Sequence, residues 1–339
     1  MDTAKRVLAQ QALSKCVTKE SGVDAEFVGS SGIETAKELG MEKKENKSQS
    51  ILTQEEHLWI RQRVREAGQK TRGLQEEQLE VIQKDKNELV TNFDRALDEY
   101  LRTEFHKRFP EDAIVTEEHE VSRANFFGPH QRTWCIDPID GTNDFIKGGS
   151  EYAVMVGLLQ AGEPVAGWLY PPKSYQQIFG AQDIGLHEEN ESRENGELSL
   201  ASFEATPCPP ITEDHCPILI GFTDAVRYGM DLKQKYPGIT YHAAGSFGIK
   251  VLKVLKGEAG LYMYLNQRVK PWDTIAPIAL AKAAGLECCD LQGNPIRYDK
   301  ESIHPETLKH KQGILIGWPS YVQKLRPLIA EVLAENSTS

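Results

Sequence analysis

The stretch 133–145, TWCIDPIDGTNDF, constrains this chain more than any other. Its opening, Trp134-Cys135-Ile136, is an apolar run suited to a buried strand. Pro138 is expected to end regular pairing and to bring the Asp137 and Asp140 carboxylates round one strand-end corner. Carboxylates at such a corner can hold a hard cation. Gly141 allows close backbone approach, and a helix starting at Thr142 would aim its first N–H groups at the same place. Carboxylates for a cation beside amides for an anion suggest a metal-bridged phosphate. Taken singly, Asp-Pro and Asp-Gly are ordinary turn dipeptides; the combined string carries the reading.

A length of 339 residues suits two domains and a substantial core. With 39 Lys plus Arg against 50 Asp plus Glu, the formal charge is −11, which argues against nucleic acid or an anionic membrane as partner. An anionic substrate must then be drawn in by local charge or metal. The six cysteines are scattered apart from Cys288-Cys289, with no CxxC and no zinc-like Cys/His spacing, and read as reduced thiols. Apolar stretches such as 153–159 are too short to span a membrane, and the first residues lack a secretory apolar region, so a cytoplasmic protein is expected.

Residues 1–50 are polar and mixed in charge, too poor in large apolar side chains for a core, and read as a mobile extension in which Val7, Leu8 and Leu13 offer at most a short docking helix. From Thr53 the pattern turns helical: Leu58, Ile60, Val64 and Ala67 recur at helical spacing, with Thr53 as N-cap and Glu56 as its capping-box partner. A second long helix is expected over 92–109, with Asp94 in its first turn, an ordinary place for a helix-stabilising acid. The run 112–118, DAIVTEE, is β-rich, and Glu117 and Glu118 should face opposite ways. Segments 152–159, 164–170 and 175–181 have strand length and suit a largely antiparallel sheet. The polar stretch 188–197 reads as an exposed loop, and Pro-rich 206–210 as a domain boundary. The expected division is therefore an extension (1–50), an α+β domain (51–205) and an α/β domain (206–339).

The second half alternates strand and helix: strand 218–222, helix 224–235, turn 244–246, helix 247–256 and strand 260–265. It leads into KPWDTIAPIALAKAAG, whose Ala and Leu content and closing Gly285 suit a helix with a C-cap. A start at Asp273 or Thr274 would leave Pro277 harmlessly in the first turn and put Asp273 at the helix N-terminus, where N-capping is its ordinary role.

DPIDGT after an apolar strand, together with Trp272-Asp273 before a small-residue helix, resembles the paired signatures of the inositol monophosphatase superfamily, a group of magnesium-dependent, lithium-sensitive phosphomonoesterases. Val90-Thr91-Asn92-Phe93-Asp94 is similar to its VTxxD string, and the double glutamate falls in the expected order; the likeness covers roughly 54–319. It implies an α/β fold, the layered αβαβα sandwich of the sugar phosphatases. By resemblance, Glu117, Asp137 and the Ile139 carbonyl would hold one ion and Asp137, Asp140 and Asp273 another. Phosphate would rest on the Gly141-Thr142 amides, and an attacking water would be oriented by Thr142 and Asp94. Five carboxylates this close repel strongly without cations, and all-oxygen ligands favour Mg²⁺, two or three ions, or Mn²⁺, over zinc. Glu118 is expected to lie behind the metal ligands or to face solvent.

Within the superfamily, Gly245-Ser246-Phe247-Gly248-Ile249-Lys250 looks like the substrate segment of CysQ-type 3′(2′),5′-bisphosphate nucleotidases, with Ser246 and Lys250 near a second phosphate. Lys84-Asp85-Lys86-Asn87 looks like their KxDN segment, which makes Lys84 a weaker candidate. Gly221-Phe222-Thr223-Asp224 departs from the nucleotidase pattern toward inositol monophosphatases, and His242 and Arg268 are generic surface candidates. The expectation is a phosphatase acting on 3′-phosphoadenosine 5′-phosphate, with inositol monophosphatase as runner-up, fructose-1,6-bisphosphatase further behind, and a catalytically idle binding relative as the non-enzyme alternative. The implied partner is a small phosphorylated substrate, and the chain a monomer or homodimer.

Overall fold

The computed structural model describes residues 50–72, 79–85, 88–242 and 244–337. Residues 1–49 of the expected extension, and Lys86 and Asn87, lie outside the described residues.

Helices α1 (Gln54–Thr71) and α2 (Asn92–Arg108) form the first layer. The capping box on α1 is as expected: Thr53 N–H donates to Glu56 Oε2 at 2.7 Å, and Glu56 N–H to Thr53 Oγ1 at 3.2 Å. Ile60, Val64 and Ala67 are buried on the inner face, whereas Leu58 is 56% exposed, so it does not belong to the apolar stripe. A hairpin of β1 (Val81–Asp85) and β2 (Glu88–Thr91) precedes α2.

The second layer is a seven-stranded sheet of β3 (Ala113–Thr116), β4 (Arg132–Asp140), β5 (Ala153–Gln160), β6 (Glu163–Tyr170), β7 (Gln176–Ala181), β8 (Gly185–Glu191) and β9 (Leu198–Ser202), in that spatial order. Only β3 and β4 are parallel; the rest is a meander. The expected loop over 188–197 is corrected here, since its first residues belong to β8. Glu189 is buried because Arg61 and Arg65 of α1 pair with it, an arrangement that the polar composition conceals.

Helices α3 (Thr142–Ile146), α4 (Phe222–Lys235), α5 (Phe247–Leu255), α6 (Pro271–Ala283) and α7 (Pro319–Ser337) follow among the described residues. The second sheet takes the order β11-β10-β12-β14-β13, from β10 (Cys216–Ile220), β11 (Ile239–His242), β12 (Leu261–Tyr264), β13 (Glu287–Cys289) and β14 (Ile314–Gly317). Its β11, β10 and β12 are parallel and β14 runs antiparallel. Helices α5 and α6 lie between the two sheets, and α4 and α7 cover the far face, giving five alternating layers.

The middle layer is unusually close to the first sheet. Gly157 and Gly167 are cross-strand partners on β5 and β6, and a Cβ on either would lie 2.6 Å from Ala276 N or 2.4 Å from Ala276 O. Helix α6 starts at Pro271, earlier than expected, so Pro277 sits inside it rather than in its first turn. Its end is a Schellman motif: Gly285 has φ +79°, and the N–H groups of Gly285 and Leu286 donate to the Lys282 and Ala281 carbonyls at 3.0 and 2.9 Å.

Candidate active site

Strand β4 does not end at Pro138, as the sequence suggested, but continues to Asp140 through a bulge. Asp137 pairs with Met155 and Asp140 with Ala153, so β4 carries one more residue than β5 there. Residues three apart on a regular strand face opposite sides; the bulge resets the alternation, and both carboxylates reach one side. Asp273, in the first turn of α6, brings a third, and one oxygen from each of the three aspartates lies within 4.8 Å of the others.

Each carboxylate is held by backbone. Asp137 Oδ1 accepts the Ile139 N–H at 3.0 Å, while its buried Oδ2 has no hydrogen-bond partner among the described residues. Asp140 is seated on the N-terminus of α5: it accepts from Phe247 N–H at 3.2 Å, Gly248 N–H at 2.8 Å and the Ser246 hydroxyl. Asp273 Oδ2 accepts the Lys270 N–H at 2.6 Å. Glu117, the first residue past β3, extends the ladder with its N–H on the Ile136 carbonyl at 3.1 Å. Its own carbonyl is gripped by Arg123 at 2.9 Å and Lys84 at 3.3 Å. Glu118 turns away to Lys84 at 2.8 and 2.9 Å, so Lys84 serves Glu118 rather than the aspartate cluster.

Asp94 fills both roles that its position allows. It caps α2 by accepting the Thr91 N–H at 2.8 Å, and its Oδ1 accepts from Thr142 Oγ1 at 3.2 Å. Thr142 Oγ1 also lies 3.1 Å from the Ile139 carbonyl. Gly141 has φ +96°, and a Cβ there would meet the Glu151 carbonyl at 2.7 Å, so the turn that connects these residues requires glycine on two counts. Lys250 is no surface lysine: it is buried, with Nζ 3.2 Å from the Ser246 carbonyl and 3.5 Å from that of Gly245. Arg268 is exposed and His242 half-buried. Sequence reasoning missed Arg123 and Asp98, whose Oδ1 holds the Glu118 N–H at 3.1 Å. Neither stands in a recognisable string.

Burial, reinforced by Asp273 and Glu118, pushes the Glu117 carboxyl up; burial, reinforced by Glu117 and Asp140, raises Asp137 strongly; and burial takes Asp94 to about 6. A half-orphaned buried carboxylate inside a mutually repelling set is a donor array that fits a divalent cation. The sign follows. Acids whose folded pKa is raised hold more protons folded than unfolded, so the metal-free chain should lose stability as pH rises from 5 to 8. Melting in EDTA should show a midpoint falling by several degrees over that range, with Mg²⁺ removing the slope. A midpoint that rose with pH in EDTA would contradict this electrostatic picture.

Alternating layers around a carboxylate cluster at the junction of a bulged strand and a helix start define a phosphatase of the metal-dependent class. The profile of the Inositol monophosphatase family matches residues 39–325, and the chain belongs to that family. It is 29% identical over 225 residues to the 3′(2′),5′-bisphosphate nucleotidase CysQ of Escherichia coli, covering 65% of this chain and 83% of the relative. Among solved structures, an IMPase of Thermotoga maritima superposes with a TM-score of 0.65 at 20% identity, covering 83% of this chain and 99% of that one. An IMPase/NADP phosphatase complexed with Mg²⁺ and phosphate gives 0.63 at 18% identity, covering 81% and 95%. The chain is thus a metal-dependent phosphatase that uses a divalent ion and acts on small phosphorylated compounds.

Proposed function

We propose that this protein is a 3′(2′),5′-bisphosphate nucleotidase that releases the 3′-phosphate of 3′-phosphoadenosine 5′-phosphate. The observation that carries the reading is the burial of Lys250 one turn beyond Ser246, on the helix whose N-terminus seats Asp140. Its carbonyl contacts, at 3.2 and 3.5 Å, are long, and a second phosphate would offer shorter bonds to an anion in their place. The likeness to CysQ supports the same substrate class.

Glu117, Asp137, the Ile139 carbonyl, Asp140 and Asp273 would hold two or three Mg²⁺, for which Mn²⁺ would substitute. Bound there, the ions would neutralise phosphate charge and favour ionisation of the attacking water. Asp94 and Thr142 position that water and Asp94 accepts its proton, while the Gly141-Thr142 amides and Ser246 orient the phosphate. Residues 51–205 supply most of these groups and 206–339 supply Asp273 and the specificity residues. We also propose lithium sensitivity, a cytoplasmic location, and a monomer or homodimer; among the described residues no helix is long and apolar enough to cross a membrane.

Lys250→Ala is expected to lower kcat/KM for 3′-phosphoadenosine 5′-phosphate at least tenfold more than for a monophosphate such as inositol 1-phosphate. Equal losses would remove Lys250 from specificity. Wild-type preference for the inositol ester would favour the second reading, inositol monophosphatase, with which the Gly221-Phe222 pair agrees; Phe222 is half exposed at the start of α4.

A further inference from the structure

One buried polar group has no part in the chemistry above. His310 lies in the long connection 290–313 between β13 and β14 and is wholly buried. Its Nε2 lies 3.0 Å from Thr274 Oγ1, and Tyr298, from the same connection, donates its hydroxyl to that oxygen, also at 3.0 Å. The backbone N–H of His310 donates to the Val269 carbonyl at 3.0 Å. One connection therefore holds both the approach to α6, at Val269 just before the Lys270 N-cap, and its first residues, at Thr274, the residue after Asp273.

The first turn of α6 has reason to need this grip. Pro277 has no N–H, so the intrahelical bond that would end on the Asp273 carbonyl is missing. Thr274 Oγ1 also lies 3.3 and 3.4 Å from the Lys270 and Pro271 carbonyls, which ties the clasp to the residue whose N–H holds the Asp273 carboxylate. His310 Nδ1 has no partner among the described residues. A buried imidazole with one nitrogen unsatisfied is a poor packing residue; an apolar side chain would fill the space without that cost. The bond to Thr274 is what the ring adds. Burial pushes the imidazole down to about 3, so it stays neutral throughout the working range.

We infer that His310, Tyr298 and Thr274 form a positioning clasp that fixes the Asp273 carboxylate for the divalent ion. The inference rests on the proposed role of Asp273 as a metal ligand. The clasp acts through Asp273 and touches neither substrate nor ion.

The test is Mg²⁺ binding to the full chain by titration calorimetry, with melting in EDTA as the measure of fold. Thr274→Val and His310→Leu should each weaken Mg²⁺ about 10-fold, as losses of residues that orient metal ligands do. Tyr298→Phe should weaken it less, and Thr274→Ser should restore wild-type affinity. The double variant Thr274→Val/His310→Leu should be no weaker than the worse single one, because the two act through one bond. Leu325→Ala, a cavity in α7 remote from Asp273, should lower the EDTA midpoint and leave affinity unchanged. Affinity within twofold of wild type in both Thr274→Val and His310→Leu, or an equal loss in Leu325→Ala, would overturn the clasp. Asp273→Asn separates the two readings: if it leaves affinity intact, the ligand role itself fails; if it abolishes binding while the clasp variants do nothing, only the clasp fails.

Discussion

Asp137→Asn should reduce phosphate release by about a thousandfold or more, a loss of ~4 kcal/mol of transition-state stabilisation. Asp137 lies at the centre of the carboxylate set, with Oδ1 fixed by the Ile139 N–H and Oδ2 buried without a hydrogen-bond partner among the described residues. An amide keeps the size of the side chain but supplies neither the charge nor a second oxygen. The same substitution should stabilise the metal-free chain, since it removes a carboxylate that burial, Glu117 and Asp140 all press to hold its proton. Activity and EDTA melting should therefore move in opposite directions, which loss of fold cannot imitate. A variant that kept a tenth of wild-type turnover would remove Asp137 from the chemistry.

Gly167→Val should cost about 3 kcal/mol or more in unfolding free energy, at the upper end for overpacking. The Cβ would fall 2.4 Å from the Ala276 carbonyl, against helix backbone that cannot rotate away as a side chain does. Because α6 is packed on the first sheet and also carries Asp273, its displacement should weaken Mg²⁺ binding as well as stability. Urea unfolding with and without Mg²⁺ reads both. A shift below about 1 kcal/mol would mean that the helix can ride away from the sheet and that the close contact has little weight.

Much of the fold was legible in local strings. The Thr53–Glu56 capping box, the helix over 92–108, strands β5 to β7 of the meander and the Gly285 C-cap follow from patterns within a few residues, where propensity and capping geometry act. Strands β11, β13 and β14 and helix α7 were not foreseen; β13 has only three residues and takes its stability from pairing with β14. The reading of 188–191 as part of a loop failed for a related reason. Charged residues signal solvent unless their counter-charges are known, and Arg61 and Arg65 are distant in sequence from Glu189. The exposed Leu58 and the interior Pro277 show the same limit at single residues.

The amino-acid order settled which groups are available: Asp137 and Asp140 before a glycine turn, Asp273 at a helix start, Asp94 in a capping position and two adjacent glutamates. It also identified the family likeness that the profile match establishes. How those groups meet is a matter of strand register and packing. The bulge in β4 turns two aspartates to one side, the glycine notch lets α6 approach closely, and the α5 N-terminus receives Asp140. Residue type and local spacing are written in one dimension. The side of a strand that a carboxylate faces, and the buried partner that fixes it, depend on pairing register and packing between segments far apart in the chain.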